Sequence, residues 1–256
     1  MNFIITASTD VGLYKDTNQD SLTVKTLTTP YGPMVFALLC DGMGGLSSGE
    51  IASASIIYAF NKWINNDLQA LCTNGFSWQV VYEQWYGLVL QMNEKIKEFG
   101  NSYGIKLGTT ITAMLITQNE YFVLNVGDTR AYEITADSIT QLTQDQTVIS
   151  RELALGRITP EQARTDPRKS ILLQCCGASP VVEPEILYGN VNNNAVYMLC
   201  SDGFRHEITP QEIQYIFSPD YLTDETTMQQ CAEYLIDVNK QRNESDNISV
   251  ILIRTY

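Results

Sequence analysis

Positive charge is scarce in this sequence. Sixteen Lys and Arg residues face 29 Asp and Glu, a formal net charge of −13. A chain so acidic cannot neutralise a row of phosphates, which excludes nucleic acid as a partner. The six cysteines, at positions 40, 72, 175, 176, 200 and 231, include no Cys-x-x-Cys pair, which argues against zinc. Cys40 and Cys200 lie in apolar runs, where a free thiol behaves as a small hydrophobe. Adjacent Cys175 and Cys176 offer poor disulfide geometry, so a reducing cytoplasm is the expected compartment. No apolar run nears the ~20 residues needed to cross a bilayer, and MNFIITASTD lacks the basic region and apolar length of a signal peptide. No Gly-Lys-Ser/Thr follows the glycines at 42–45, which excludes a phosphate loop. Ser47 stands where a dinucleotide fingerprint requires its third glycine. No repeat, low-complexity tract or linker divides the 256 residues, and that length suits one large domain.

What the sequence does have is an apolar run from Met34 to Cys40 that ends at Asp41-Gly42, and a second, Ala195 to Ser201, that ends at Asp202-Gly203. A carboxylate at the mouth of a buried strand is costly without a partner for its charge. Asp-Gly is also the commonest short-range turn signal, so neither copy alone defines a site. Together, two such strands delivering Asp-Gly to one end of a sheet suggest a shared metal site.

In chain order, the pattern predicts strands at Asn2–Thr9 and Ser21–Thr28, a tight turn at Pro30-Tyr31-Gly32-Pro33, and the Met34 strand. Ser47 and Glu50 form a capping box opening a helix to about Asn65. A second helix, Trp78–Phe99, is expected to stop at Gly100. From Thr109 the period becomes two, with strands at Thr110–Thr117, Tyr121–Val126, Arg130–Thr135 and Ser138–Leu142. Thr143–Gly177 is expected to be largely helical, an insertion over one sheet edge. Helices follow from about Pro210 and over Thr226–Lys240, and Asn247–Ile253 is a final strand. Strands interleaved with paired helices argue for an α+β fold, two antiparallel sheets packed together with helices outside.

Five acids stand at element ends: Asp20, Asp41, Asp128, Asp202 and Asp246. One carboxylate in such a place is usually a cap or turn former, but five together favour a hard cation such as magnesium or manganese, which takes oxygen ligands and keeps several waters. Gly42 fits the same reading, because bare backbone can offer its carbonyl to an ion.

With these residues in view, the chain resembles the metal-dependent protein phosphatases of type 2C, especially the compact bacterial members. The resemblance rests on Gly12–Asp20 (GLYKDTNQD), Asp41–Gly45 (DGMGG), Gly108-Thr109-Thr110, Val126–Arg130 (VGDTR), Ser201–Phe204 (SDGF) and Asp246–Ser249 (DNIS), in family order across nearly the whole chain. It implies a four-layer α-β-β-α sandwich over residues 1–256 with a flap at about 143–177. It also implies a binuclear Mn2+ or Mg2+ centre whose activated water hydrolyses phosphoserine and phosphothreonine. On this resemblance Asp41 bridges two ions, the Gly42 carbonyl binds the second, and Asp202 and Asp246 complete the first. Asp128, with Asp202, matches a third, weaker site, and Asp20 holds metal-bound waters behind. The implied partners are phosphorylated proteins, a serine/threonine kinase among them, met by a monomer with no membrane insertion.

Three positions depart from the family pattern. Lys15 stands where a phosphate-binding Arg is usual, and a point charge cannot make the bidentate fork. Gln19 replaces a Glu, and Met43 replaces the His that serves animal members as general acid. The lone histidine, His206, is expected to lead away from the strand end and to be structural. Two alternatives stay open: a catalytically weak regulatory or binding module on the same fold, and a phosphatase for small metabolites.

Overall fold

The run Met34–Cys40 has no exposed residue, and a strand buried on both faces needs a layer on each side of its sheet. The computed structural model, which describes residues 1–44 and 48–256, supplies those layers. The strands are Phe3–Asp10 (β1), Ser21–Thr29 (β2), Gly32–Cys40 (β3), Gly42–Gly44 (β4), Leu107–Thr109 (β5), Ile111–Ile116 (β6), Glu120–Val126 (β7), Arg130–Ile134 (β8), Ile139–Gln141 (β9), Glu185–Asn190 (β10), Ala195–Cys200 (β11) and Ile248–Thr255 (β12). The helices are Gly49–Trp63 (α1), Gln69–Asn74 (α2), Trp78–Tyr103 (α3), Val148–Ala154 (α4), Pro160–Thr165 (α5), Asp202–Arg205 (α6), Pro210–Ile216 (α7) and Glu225–Gln241 (α8), with a π-helical turn at Ile64–Leu68 between α1 and α2.

One antiparallel sheet runs β1-β12-β11-β8-β9 and the other β10-β7-β6-β3-β2, with β4 and β5 as a separate pair. Side chains alternate across each strand. Val35, Ala37 and Leu39 of β3 therefore meet Ala195, Tyr197 and Leu199 of β11 and Ile251 and Ile253 of β12 between the sheets. Met34, Phe36, Leu38 and Cys40 point the other way, against Ile56 and Phe60 of α1 and Val81, Trp85 and Val89 of α3. On the far side Val196, Met198, Val250 and Leu252 are covered by Phe204, Ile213, Met228, Ala232 and Leu235. The layers are helix, sheet, sheet, helix, as expected. Trp85 anchors one of them, its ring 5.4–5.7 Å from Phe36, Phe60, Trp63 and Phe122 at steep angles, each pair adding about 0.5–1.5 kcal/mol beyond burial.

Several boundaries differ from expectation. Helix α3 runs through Gly100 to Tyr103 and is capped by Gly104 in the left-handed region, φ 66°. Gly100 is instead a contact point, where a Cβ would lie 2.7 Å from the Ile105 carbonyl oxygen and 2.8 Å from Leu107. The segment 143–177 holds only two short helices, α4 and α5, and is otherwise turns and single bridges. Ser47 of the expected capping box lies outside the described residues; Ser48 is the N-cap of α1 and makes no side-chain cap bond. The two Asp-Gly strands belong to different sheets, β3 to one and β11 to the other, so the acids they carry meet across the sandwich rather than along one sheet.

Candidate metal centre

Strand register gathers the acids at one end of the sandwich. Ser21 pairs with Cys40, which sets Asp20 beside Asp41. Cys200 pairs with Val250 on one side and Arg130 on the other, which brings the residues before β12 and the turn before β8 alongside Asp202. That turn, Gly127-Asp128-Thr129, carries the chain from one sheet to the other.

The peptide of Asp41 is clamped. Its N–H donates to Thr110 Oγ1 at 2.9 Å, and its carbonyl accepts from Thr110 N–H and Thr109 Oγ1, each at 2.9 Å. Gly42 N–H donates to the Gln19 carbonyl at 3.2 Å, and a Cβ at 42 would collide with the carbonyl oxygens of Gln19 and Gly49. Glycine is thus required there by the close approach of two chains. Gly203 plays the same part at the second Asp-Gly, where a Cβ would strike the Asn247 carbonyl. Asn247 fastens the loop of residues 11–20 to the site: its Nδ2 donates to the Val11 and Thr17 carbonyls at 3.0 and 3.2 Å, and its Oδ1 accepts from Gln19 N–H at 2.9 Å.

The gathered carboxylates repel one another. Asp41 keeps some solvent-accessible surface, yet burial of its carboxyl and the charges of Asp20, Asp202, Asp128 and Asp246 push its pKa well above the usual range. Burial lifts Asp20 to about 7, against the pull of the Ser249 and Ser201 hydroxyls and with added repulsion from Asp202 and Asp246. Asp128 is also lifted to about 7, by burial and then by Asp202, with Arg205 opposing. Two buried oxygens, Asp20 Oδ2 and Asp202 Oδ1, have no hydrogen-bond partner among the described residues.

Cations stand around this cluster. Lys15 Nζ lies 3.0 Å from Asp246 Oδ1. Burial opposes its charge, but Asp246, with Asp41 and Asp202 behind, holds the ammonium above its ordinary pKa. His206 does not lead away from the site. Its Nε2 is 3.5 Å from Asp202 Oδ2 and its Nδ1 3.3 Å from Glu244 Oε2, because α6 begins at Asp202 and returns residue 206 to the same face one turn on. Arg205 reaches Asp128.

The protein phosphatase 2C family profile matches residues 14–249. The chain belongs to that family. Among its relatives, protein phosphatase PhpP of Streptococcus pneumoniae serotype 2 is 28% identical over 253 residues, covering 97% of this chain and 96% of PhpP. The solved serine/threonine phosphatase of S. agalactiae superposes with a TM-score of 0.85 at 27% identity, covering 100% of both chains. The catalytic domain of the phosphatase PstP, solved in complex with two manganese ions, shares the fold with a TM-score of 0.76 at 24% identity and 99% coverage of each chain.

This type 2C phosphatase offers a divalent cation the right chemistry: hard oxygen donors, two of them orphaned in the interior, and a surplus of negative charge that burial makes costly. Among the described residues, no group of three or more His, Cys, Asp and Glu side chains is already arranged to hold one ion. Magnesium-type sites take only one or two carboxylates per ion, with water for the rest. Reasoning from the sequence left Asn247, Glu244 and Arg205 without a role. Arg205 and His206, three and four residues after Asp202, carried a signal in their helical spacing. Asn247 stood in the DNIS block with no part of its own, and Glu244 gave no signal of its contact with His206, which is remote in the chain.

Proposed function

We propose that this protein is a serine/threonine protein phosphatase working through a binuclear manganese or magnesium centre held by Asp41, the Gly42 carbonyl, Asp202 and Asp246, with Asp20 behind them. The observation that carries this reading is the convergence of five carboxylates from both sheets, two with unpartnered buried oxygens. When bound, the two ions supply a water of lowered pKa and positive charge beside the phosphoryl oxygens. The protein's own part is positional. Thr109 and Thr110 hold the Asp41 backbone, His206 braces Asp202, and Asn247 holds the loop that bears Lys15 and Asp20. Lys15 is paired with Asp246, and its ammonium would be free to meet substrate phosphate once Asp246 held a metal. Met43, 37% exposed, cannot donate a proton to the leaving group. Both nitrogens of His206 face carboxylates, so that proton comes from water.

Residues 1–256 form one catalytic domain on this reading, with 143–177 as a flap. Beside the flap's root is a cavity of about 760 Å3 lined by Arg130, Asp145, Ser150 and Arg151, suited to residues flanking a phosphorylated side chain. The substrates are phosphoproteins, a serine/threonine kinase among them, and the enzyme acts as a monomer in the cytoplasm. Six free cysteines support a reducing compartment, and no helix among the described residues is long and apolar enough to cross a membrane.

The test is turnover of a phosphothreonine peptide by Asp202→Asn, expected to fall at least ~100-fold with the fold intact, as losing one oxyanion-stabilising element commonly does. Near-wild-type turnover by the folded variant refutes the binuclear centre, and a preference for sugar phosphates over the peptide would favour a metabolite phosphatase.

A further inference from the structure

Asp128 differs from the other acids of the site in having a guanidinium across it. Arg205 Nη2 donates to the Asp128 carbonyl at 3.0 Å and lies 3.6 Å from Asp128 Oδ2 and 3.7 Å from Asp145 Oδ2. All three side chains are at least 88% buried, with exposures of 12%, 8% and 12% for Arg205, Asp128 and Asp145. Asp145 is in turn held by Arg130 through two bonds of 2.6 Å. On this side of the site two carboxylates meet two guanidiniums, so the local charge is balanced by the protein itself. Around Asp20, Asp41, Asp202 and Asp246 it is not, and the orphaned oxygens Asp20 Oδ2 and Asp202 Oδ1 are found there; among the described residues no Asp128 oxygen is such an atom, and the one unpartnered buried group on the Asp128 side is a donor, Arg205 Nε.

We propose that Arg205 is a resident cation at Asp128, standing in for the third divalent ion that the resemblance assigns to Asp128 and Asp202. A metal on Asp128 Oδ2 would sit within a few ångströms of a buried guanidinium, and like charges at that range in a poorly hydrated interior repel strongly. Arginine carries a fixed charge, and its Nη2 faces both the Asp128 carbonyl and, at 3.6 Å, the Asp128 carboxylate, so nothing available to the protein neutralises it short of moving it away. Helix α6 builds the arrangement, since it starts at Asp202 and carries Arg205 on its first turn. Asp128 therefore orients Arg205, and Arg205 links Asp128 to Asp145 at the root of the 143–177 segment. Arg205 is a positioning residue. The inference rests on the binuclear reading above and removes only the third ion that the resemblance adds to it.

The experiment counts ions. Manganese is titrated into metal-free protein by calorimetry, and crystals grown with excess manganese are located by anomalous scattering. Two ions per chain are expected in the wild type, with none on Asp128. Arg205→Met, close in length but uncharged, should take up a third ion on Asp128, whereas Arg205→Lys should remain at two. Asp128→Asn in the wild-type background should still bind two ions with unchanged affinity, and this arm decides the matter if Arg205→Met fails to fold. A third ion on Asp128 in the wild type, no gain in folded Arg205→Met, or the loss of an ion in Asp128→Asn would overturn the proposal. Fewer than two ions in the wild type would overturn the binuclear reading itself, and this inference with it.

Discussion

Asp20→Asn separates the cost of this site from its use. In the metal-free protein the buried Asp20 carboxyl is lifted from an ordinary 3.8 to about 7, so the folded state holds the Asp20 proton more tightly than the unfolded chain does. The sign follows: stability falls as pH rises from about 4 to about 7 and stays low above that, because the folded state must then carry the ionised carboxylate. At about 1.4 kcal/mol per tenfold change in proton affinity, the full penalty is roughly 4 kcal/mol. Part of it is shared with Asp202 and Asp246, which leaves on the order of 2–4 kcal/mol for Asp20. Asparagine occupies the same space, can still accept from the Ser201 and Ser249 hydroxyls, and carries no charge. In chelator near pH 8, Asp20→Asn should melt higher than the wild type by roughly 5–10 °C for a chain of this size. Below about pH 4 the two should converge, since Asp20 is then protonated in both states. Saturating manganese should reverse the order, because an ion that binds only the folded state stabilises it by mass action and the variant lacks the charge that helps hold it. Differential scanning calorimetry across pH, with chelator and with manganese, reads all three. A variant that melts below the wild type in chelator at pH 8, or a difference that does not depend on pH, would refute the reasoning.

Two further outcomes follow from the groups beside the metal centre. Lys15→Ala should lower kcat/KM for a phosphothreonine peptide with manganese affinity unchanged or raised, since the ammonium both meets phosphate and competes for Asp246; Lys15→Arg should restore efficiency, and steady-state kinetics showing both silent would remove Lys15 from the phosphate site. His206→Ala should lose less than about tenfold in kcat at saturating manganese and keep both limbs of the pH–rate profile, as neither ring nitrogen is free to act as the acid. Its stability deficit has a defined window. His206, opposed by burial but raised by Glu244 and Asp202, contributes fully below 6.5 and loses that contribution as pH rises through its raised folded value. Glu244, opposed by burial but lowered by His206, contributes above 4.5 and loses it as pH falls through its depressed value. Urea denaturation should therefore find the largest gap from wild type between about pH 4.5 and 6.5.

Much of this protein is determined locally. Runs such as Met34–Cys40 and Ala195–Cys200 can be satisfied only by burial on both faces, so two covered sheets follow from composition and period alone. The acids at strand ends are legible because an Asp before Gly at the mouth of such a run has no local partner. Tertiary structure decided what depends on remote neighbours. Helix α3 is the exception, since it passes through Gly100 to a cap made by near neighbours, Gly104 in the left-handed region and Ile105 N–H donating to the Gly100 carbonyl at 2.9 Å. Strand β10 has no signal of its own because it is a half-exposed edge placed by its pairing with β7. The polar stretch 143–177 has residues that favour helix, yet Gly156, at φ 65°, interrupts it and α4 and α5 bury only Ile149 between them, so too little apolar surface is covered to hold more than two short ones. At the site, the register of two different sheets brought the acids together. The fate of Asp128 turned on a guanidinium 77 residues away in the chain. Charge neutralisation in an interior is a contact property, and contacts between distant residues are settled by the fold.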